Sequence, residues 1–422
     1  MDGVTALILA GGRVDELGAL TARRAKAAVP FGGTYRIIDF PLSNLARSYA
    51  RRVGVLSQYR PSSLMDHVGM GQAWGLVGRG CEVRMLPPYQ AETRVDWYNG
   101  TADAVLQNHD FWKGAKDVLI ISGDHIYSMD YRPLLELHRS KGAALTMAFK
   151  RFPRGELTGY GVGLLDKNGR VVGYREKPAV PASDLGSLTI YVFNRVRLEA
   201  VLEQGRPAKG MHQFYEQVIP AMVEREHVQG TIFDGYWAYA RSVDQYYATS
   251  MDILDPASGL DLDAWDVRTN VEETGTGGKP PFLTGIGARV RGSRISSGCR
   301  IDGEVTHSIL SPDVVVEAGA VVRDSILMNN VKVRVGAVLE RVIIDKHTEI
   351  GAHSRIGGDA PCVPNAAMAD THTCGVVVIG RECTIAAGSE VGGNTQIAPG
   401  TELGSRLRLP AGASLDTPEV ER

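Results

Sequence analysis

The chain has 422 residues, a formal net charge of −2, 44% hydrophobic residues and 22% charged residues. That length implies two or three domains with ample core. The near-neutral balance gives no electrostatic footprint for nucleic acid or an anionic membrane. No apolar run approaches the roughly 20 residues of a membrane helix. The first twelve residues lack the basic region and cleavage site of a secretory signal, and the expectation is a cytoplasmic protein without membrane or nucleic-acid partners. Cys81, Cys299, Cys362, Cys374 and Cys383 are scattered, with no Cys-x-x-Cys pair. They read as reduced thiols, not as a disulfide framework or a zinc site.

In chain order, apolar runs at 6–10, 52–57, 118–122 and 144–149 read as buried strands of a mostly parallel sheet. Amphipathic or polar stretches at 41–50, 102–113 and 132–141 lie between them and read as helices. This alternation predicts an α/β layered, Rossmann-like domain. Asp166-Lys167-Asn168-Gly169 reads as a turn between strands 161–165 and 171–175, an antiparallel hairpin set into the sheet. Residues 255–281 carry Ser258-Gly259, Gly275, Gly277-Gly278 and Pro280-Pro281, the punctuation of a linker.

A different rule governs the remainder. Ile379, Ile385, Val391, Ile397 and Leu403 recur every six residues. Val315, Val321, Leu327, Val333 and Leu339 form a second such series. A six-residue period predicts a left-handed parallel β-helix of hexapeptide repeats. The last of the chain's 29 aromatic residues is Phe282, and a narrow coil explains why, since a ring would overfill each layer. Residues 358–377 break the period and read as a loop leaving the coil. His347, His353 and His372 share no metal-ligand spacing and read as surface residues.

Three features of the first domain carry chemistry. Leu7-Ile8-Leu9-Ala10-Gly11-Gly12 is a strand running into a glycine turn, where backbone N–H groups can approach a phosphate. Asp124, in Ser122-Gly123-Asp124-His125-Ile126-Tyr127, follows an apolar strand at its carboxyl end, a place for Mg²⁺ or for a helix cap. Lys177, in Glu176-Lys177-Pro178, suits a phosphate as a point charge, although such pairs are also common as solvated surface.

Together with the stretches 24–40, 97–104 and 190–193, these segments resemble the bacterial glucose-1-phosphate adenylyltransferases over most of the chain. The resemblance implies a sugar-phosphate nucleotidyltransferase domain at 1–254, a linker at 255–284, the β-helix at 285–406 and a tail at 407–422. It implies transfer from ATP to α-glucose 1-phosphate, giving ADP-glucose for glycogen or other α-glucan synthesis, and pyrophosphate, with Mg²⁺. By position, Asp124 resembles the metal-binding catalytic aspartate. Tyr98, Gly161, Glu176, Lys177 and Ser187 resemble the glucose 1-phosphate contacts. Leu9, Ala10, Gly11, Gly12, Lys26, Gly100, Thr101 and Asp124 resemble the nucleotide site. Gln58 and Trp97 match positions that couple nucleotide binding to catalysis, and count with Asp124 and Lys26 as catalytic candidates. A homotetramer and an allosteric small-metabolite effector are implied too, with Pro87-Pro88-Tyr89-Gln90 resembling a regulatory loop.

Three positions depart from the family pattern. Val14 replaces a glycine of the phosphate turn, Glu16 replaces its arginine, and Tyr239 replaces the aspartate that is the second metal ligand. Arg13 or Arg241 is a candidate replacement cation, and Asp15 or Asp244 a candidate replacement carboxylate. The alternatives are therefore another sugar 1-phosphate or nucleoside triphosphate, or a catalytically weak regulatory subunit.

Overall fold

The computed structural model describes residues 1–12, 15–88, 97–204, 212–273, 277–358 and 363–415, with the backbone alone at 90–91, 94–95 and 205. Arg13, Val14, Tyr89, Gly275 and Cys362, named above, lie outside the described residues.

A nine-stranded mixed sheet forms the first domain. Its strands are β1 (Val4–Leu9), β2 (Arg52–Leu56), β3 (Glu82–Leu86), β4 (Asp117–Ser122), β5 (Leu145–Arg151), β6 (Gly161–Leu165), β7 (Val171–Glu176), β8 (Leu185–Asn194) and β9 (Val228–Ile232). The spatial order is β7-β6-β8-β4-β1-β2-β3, with β5 paired to β8 and β9 to β5. β3, β2, β1 and β4 are mutually parallel, and β8 enters antiparallel to β4. The central strands are near-continuous apolar runs because both faces are covered. Leu7, Val118 and Ile120 pack on one face, Ile8, Leu119 and Ile121 on the other. The expected 161–175 hairpin is β6 and β7. The expected helix at 102–113 is two, Thr101–Gln107 and His109–Trp112.

Two details position the site. β8 bulges opposite Met147–Phe149, leaving Thr189 at φ 53°, a strained value for a β-branched residue. A short ribbon, β10 (Trp237–Tyr239) against His125–Tyr127, sets Tyr239 directly opposite His125.

The second domain is a coil of three parallel sheets. Its branched aliphatics fill a narrow interior. Ile379, Ile385, Val391 and Ile397 point inward as expected. The second six-residue series needs a correction. Val315 and Val321 are only half-buried, and their neighbours Val316 and Val322 fill the interior. Val316 pairs with Val333, and Val333 with Ile350, so a coil there takes seventeen residues and one side per turn is five residues long. The coil begins at Leu283–Thr284, and the stretch expected as a tail still pairs through Arg408–Leu409 and Ser414–Leu415.

The stretch expected as a linker is packed. Leu260 and Leu262 are buried, and Trp265 meets Phe40 edge-on. They join a core shared by both domains, with Leu20, Phe31 and Tyr246 on one side and Met328, Ile343 and Val378 on the other. The period-breaking loop lies in this interface as well. Within it His372 is fully buried, correcting the surface reading. Its Nε2 meets Val376 O at 2.5 Å, and its Nδ1 lies 3.3 Å from Gln396 Nε2. Gln396 Oε1 in turn accepts from Ala19 N–H at 3.0 Å. His347 and His353 are exposed, as expected.

Candidate active site

A cavity of about 500 Å³ opens at the carboxyl ends of β1, β2 and β4, where α/β sheets place ligands. Fourteen of the fifteen residues singled out for the site line it. The exception is Trp97, which is 61% exposed and does not line the cavity.

Leu9, Ala10, Gly11 and Gly12 form the floor of one half. A Cβ on Gly11 would lie 2.9 Å from Gln58 N and 3.2 Å from Leu56 O. Both are backbone atoms of the neighbouring strand end and cannot move aside. A Cβ on Gly12 would meet none of the described residues within 4 Å, so packing among them does not require glycine there. Lys26 is buried at 3% exposure and reaches the cavity from below, its Nζ 3.0 Å from Asp124 Oδ2.

Asp124 follows β4 by two residues. Burial raises its carboxyl pKa, but the Lys26 ammonium, His125 and the Ser122 hydroxyl outweigh burial and hold it down at about 2. Asp124 is therefore ionised at neutral pH. Burial pushes the adjacent His125 down to about 4, and Lys26 adds to that against the pull of Asp124. The imidazole is neutral at pH 7 and packs edge-on to Trp237 and Tyr239, each at 4.8 Å.

The other half is built on β6, β7 and β8. Glu176 ends β7, and burial raises its carboxyl pKa against the lowering effect of the Tyr174 hydroxyl, which donates to Oε2 at 3.0 Å. Residues 174 and 176 share one face of the strand, a period-two relation. Gly161 leaves room for this pair, since a Cβ there would overlap the Tyr174 hydroxyl. Lys177 sits at φ 40°, a strained left-handed conformation. Ser187 Oγ lies 3.2 Å from Tyr191 Oη, beside the strained Thr189.

Gln58, Tyr98, Gly100 and Thr101 close the side wall. Gln58 Oε1 accepts from Tyr98 N–H at 2.5 Å, and its Nε2 donates to Tyr98 O at 3.4 Å. It holds the main chain of Tyr98 like a strand neighbour. Tyr98 Oη turns inward to Leu86 O at 3.0 Å, and burial pushes its pKa up to about 12. The first N–H groups of the Thr101–Gln107 helix are capped from a distance. Gln213 Oε1 takes Thr101 N–H at 3.2 Å and His212 O takes Ala102 N–H at 2.8 Å.

Two of the departing positions, Glu16 and Tyr239, meet here. Glu16 lines the cavity and its charge reaches Tyr239. Tyr239 lies under Lys26, with Nζ 4.0 Å from the ring centroid. Arg241, one of the two candidate cations, lines the cavity and donates through Nη1 to Gly159 O at 3.0 Å. Asp244 is excluded as a replacement carboxylate. Both its oxygens are taken by Thr373 N–H, Thr373 Oγ1 and Cys374 N–H of the period-breaking loop. Asp15 is exposed and is not part of the cavity wall.

Several cavity residues were not singled out from the sequence. Tyr174 was legible in retrospect, two residues before Glu176 on one strand face. Thr189 and Gln213 were not, because a bulge and a distant cap depend on pairing partners far away in the chain.

Comparison with known proteins follows the same division. Residues 5–256 match the family model described as nucleotidyl transferase, and 284–379 match the GlmU-like C-terminal hexapeptide model. A glucose-1-phosphate adenylyltransferase of Desulforamulus reducens is 39% identical over 376 residues, covering 88% of this chain and 92% of that protein. One of Thermomicrobium roseum is 41% identical over 401 residues, covering 93% and 92%. One of Thermotoga neapolitana is 42% identical over 332 residues, covering 76% and 77%. A nucleotidyltransferase sheet, a hexapeptide coil and relatives matched nearly end to end agree that the chain belongs to the glucose-1-phosphate adenylyltransferase family.

Proposed function

We propose that this chain catalyses adenylyl transfer from ATP to α-glucose 1-phosphate. An oxygen of the sugar phosphate attacks the α-phosphorus of ATP. The new P–O bond gives ADP-glucose as the α–β phosphoanhydride breaks and pyrophosphate leaves. The observation that carries this reading is one cavity with two chemically distinct halves. Gly11, Gly12, Lys26 and Asp124 form one, and Gly161, Glu176, Lys177 and Ser187 form the other.

The nucleophile is already ionised at pH 7, so no general base is needed and catalysis rests on positioning and charge. Lys26 neutralises phosphate charge at the floor, and Lys177 meets the sugar phosphate as a point charge. The half-buried Glu176 carboxyl, braced by Tyr174, is placed to accept from sugar hydroxyls. Gln58 and the helix cap at Gln213 hold the wall between the two substrates.

Mg²⁺ fits this site through one carboxylate. Asp124 is ionised and lines the cavity, while Tyr239 offers only a neutral phenol, its pKa raised by burial and by Asp124 and Glu16. Among the described residues no group of three or more His, Cys, Asp or Glu side chains gathers to hold a metal. Mg²⁺ accepts such sparse protein ligation when substrate phosphates complete its shell. When bound, it supplies charge neutralisation to the triphosphate. A homotetramer under a small-metabolite effector, in the cytoplasm and serving α-glucan synthesis, belongs to the same reading and is supported by family membership.

Pyrophosphate release from purified protein, over panels of triphosphates and sugar 1-phosphates with Mg²⁺, tests the reading. ATP with glucose 1-phosphate is expected to be clearly the best pair. Asp124→Asn is expected to cut kcat by about 10²-fold or more, in line with loss of a preorganised charged group. Near-normal turnover in that variant would sink the site assignment.

A further inference from the structure

Tyr239 offers no charge to attract Lys26, yet the two side chains meet in the cavity. Two contacts account for the placement of Lys26. Nζ lies 3.0 Å from Asp124 Oδ2 and 4.0 Å from the centroid of the Tyr239 ring. The Lys26 side chain is 3% exposed, so water does little to screen either contact. The ring itself is held from two sides. It meets His125 edge-on at 4.8 Å and an interplanar angle of 71°, and Trp237 at 6.4 Å. The ribbon register fixes the rest, with Tyr239 opposite His125, the residue after Asp124.

We infer that Tyr239 is a positioning residue whose ring face, not its hydroxyl, holds the Lys26 ammonium against Asp124 ready for a triphosphate. A ring does this by its quadrupole, with the Asp124 carboxylate 3.0 Å from the same ammonium. The inference rests on the adenylyl-transfer reading only for what Lys26 acts on.

The test compares Tyr239→Phe, Tyr239→Leu and Tyr239→Met in the full chain. Phe keeps the ring face and is expected to hold kcat within about threefold, whereas Leu and Met, which have no ring, are expected to lose about 10- to 30-fold. KM for glucose 1-phosphate, read at the other half of the cavity, is expected to change less than about twofold in all three, which also reports correct folding. A second readout needs no turnover. Calorimetric affinity for ATP is expected to weaken in Leu and Met and to be retained in Phe. Leu and Met matching wild type, or Phe falling as far as Leu, overturns the inference. Wild type silent with every substrate pair, but with the affinity order intact, overturns adenylyl transfer and leaves this inference standing. Failure of wild type to bind any triphosphate overturns both.

Discussion

Arg24 and Asp345 form an ion pair between the first domain and the coil, with side chains 3% and 0% exposed. Asp345 also accepts from Lys346 N–H at 2.7 Å. Replacing Asp345 by Leu removes the anion and puts a larger apolar side chain in its place. The Arg24 guanidinium is then buried without its partner, in a neighbourhood that already holds Arg36 and Lys346. Removing one partner of a buried pair costs about 3–5 kcal/mol, chiefly as the penalty of the stranded charge. At roughly 2 °C per kcal/mol for a large chain, Tm falls by about 6–10 °C. The companion variant Arg24→Met with Asp345→Leu strands no charge and is expected to regain at least half of that loss. Thermal unfolding followed by circular dichroism, at one protein concentration so that assembly does not bias Tm, measures both. A single variant within about 1 °C of wild type, or a double variant less stable than the single, would refute the argument that the pair restrains the interface.

Gly161→Ala pushes a methyl group into the Tyr174 hydroxyl and to within 2.8 Å of Glu176 Oε2. KM for glucose 1-phosphate is expected to rise by about tenfold or more with ATP affinity little changed, and an unchanged KM would show that Glu176 does not meet the sugar. Lys346 titrates at about 8 because of burial and the nearby Arg36 and Arg24. Its folded-state value lies below its ordinary 10.5, so the unfolded chain binds more protons between those pH values and stability rises across that window. Lys346→Met is expected to flatten that rise and to stabilise the protein by up to about 3 kcal/mol below pH 8, which urea unfolding at pH 7.5 and 10 would detect. Glu16 lines the nucleotide half of the cavity, and Glu16→Arg replaces a repelling charge with an attracting one. A severalfold drop in KM for ATP is expected, and a rise instead would mean that Glu16 has a constructive role there.

What was legible in the sequence depended on short-range pattern. Leu7-Ile8-Leu9 and Leu119-Ile120-Ile121 announced strands buried on both faces, and the site candidates clustered at their carboxyl ends because parallel strands expose those ends together. The six-residue period and the absence of aromatics after Phe282 announced the coil. Even there the period misplaced Val315 and Val321 by one residue, because one side of the coil takes five residues and pattern counting has no access to that corner.

Long-range placement was decided only in three dimensions. Composition marked 255–284 as linker and 358–377 as an excursion, yet Leu262 is buried in the domain interface and His372 is fully buried. Asp244 and Tyr239 are five residues apart in one segment. One binds the loop of the coil and the other lies beneath Lys26, and only the turn from ribbon to helix between them separates these fates. Sequence alone determined which residue types the chain offers to a phosphate, a sugar and a cation. Which of them face one another was set by strand register and domain docking, since both bring together residues hundreds of positions apart.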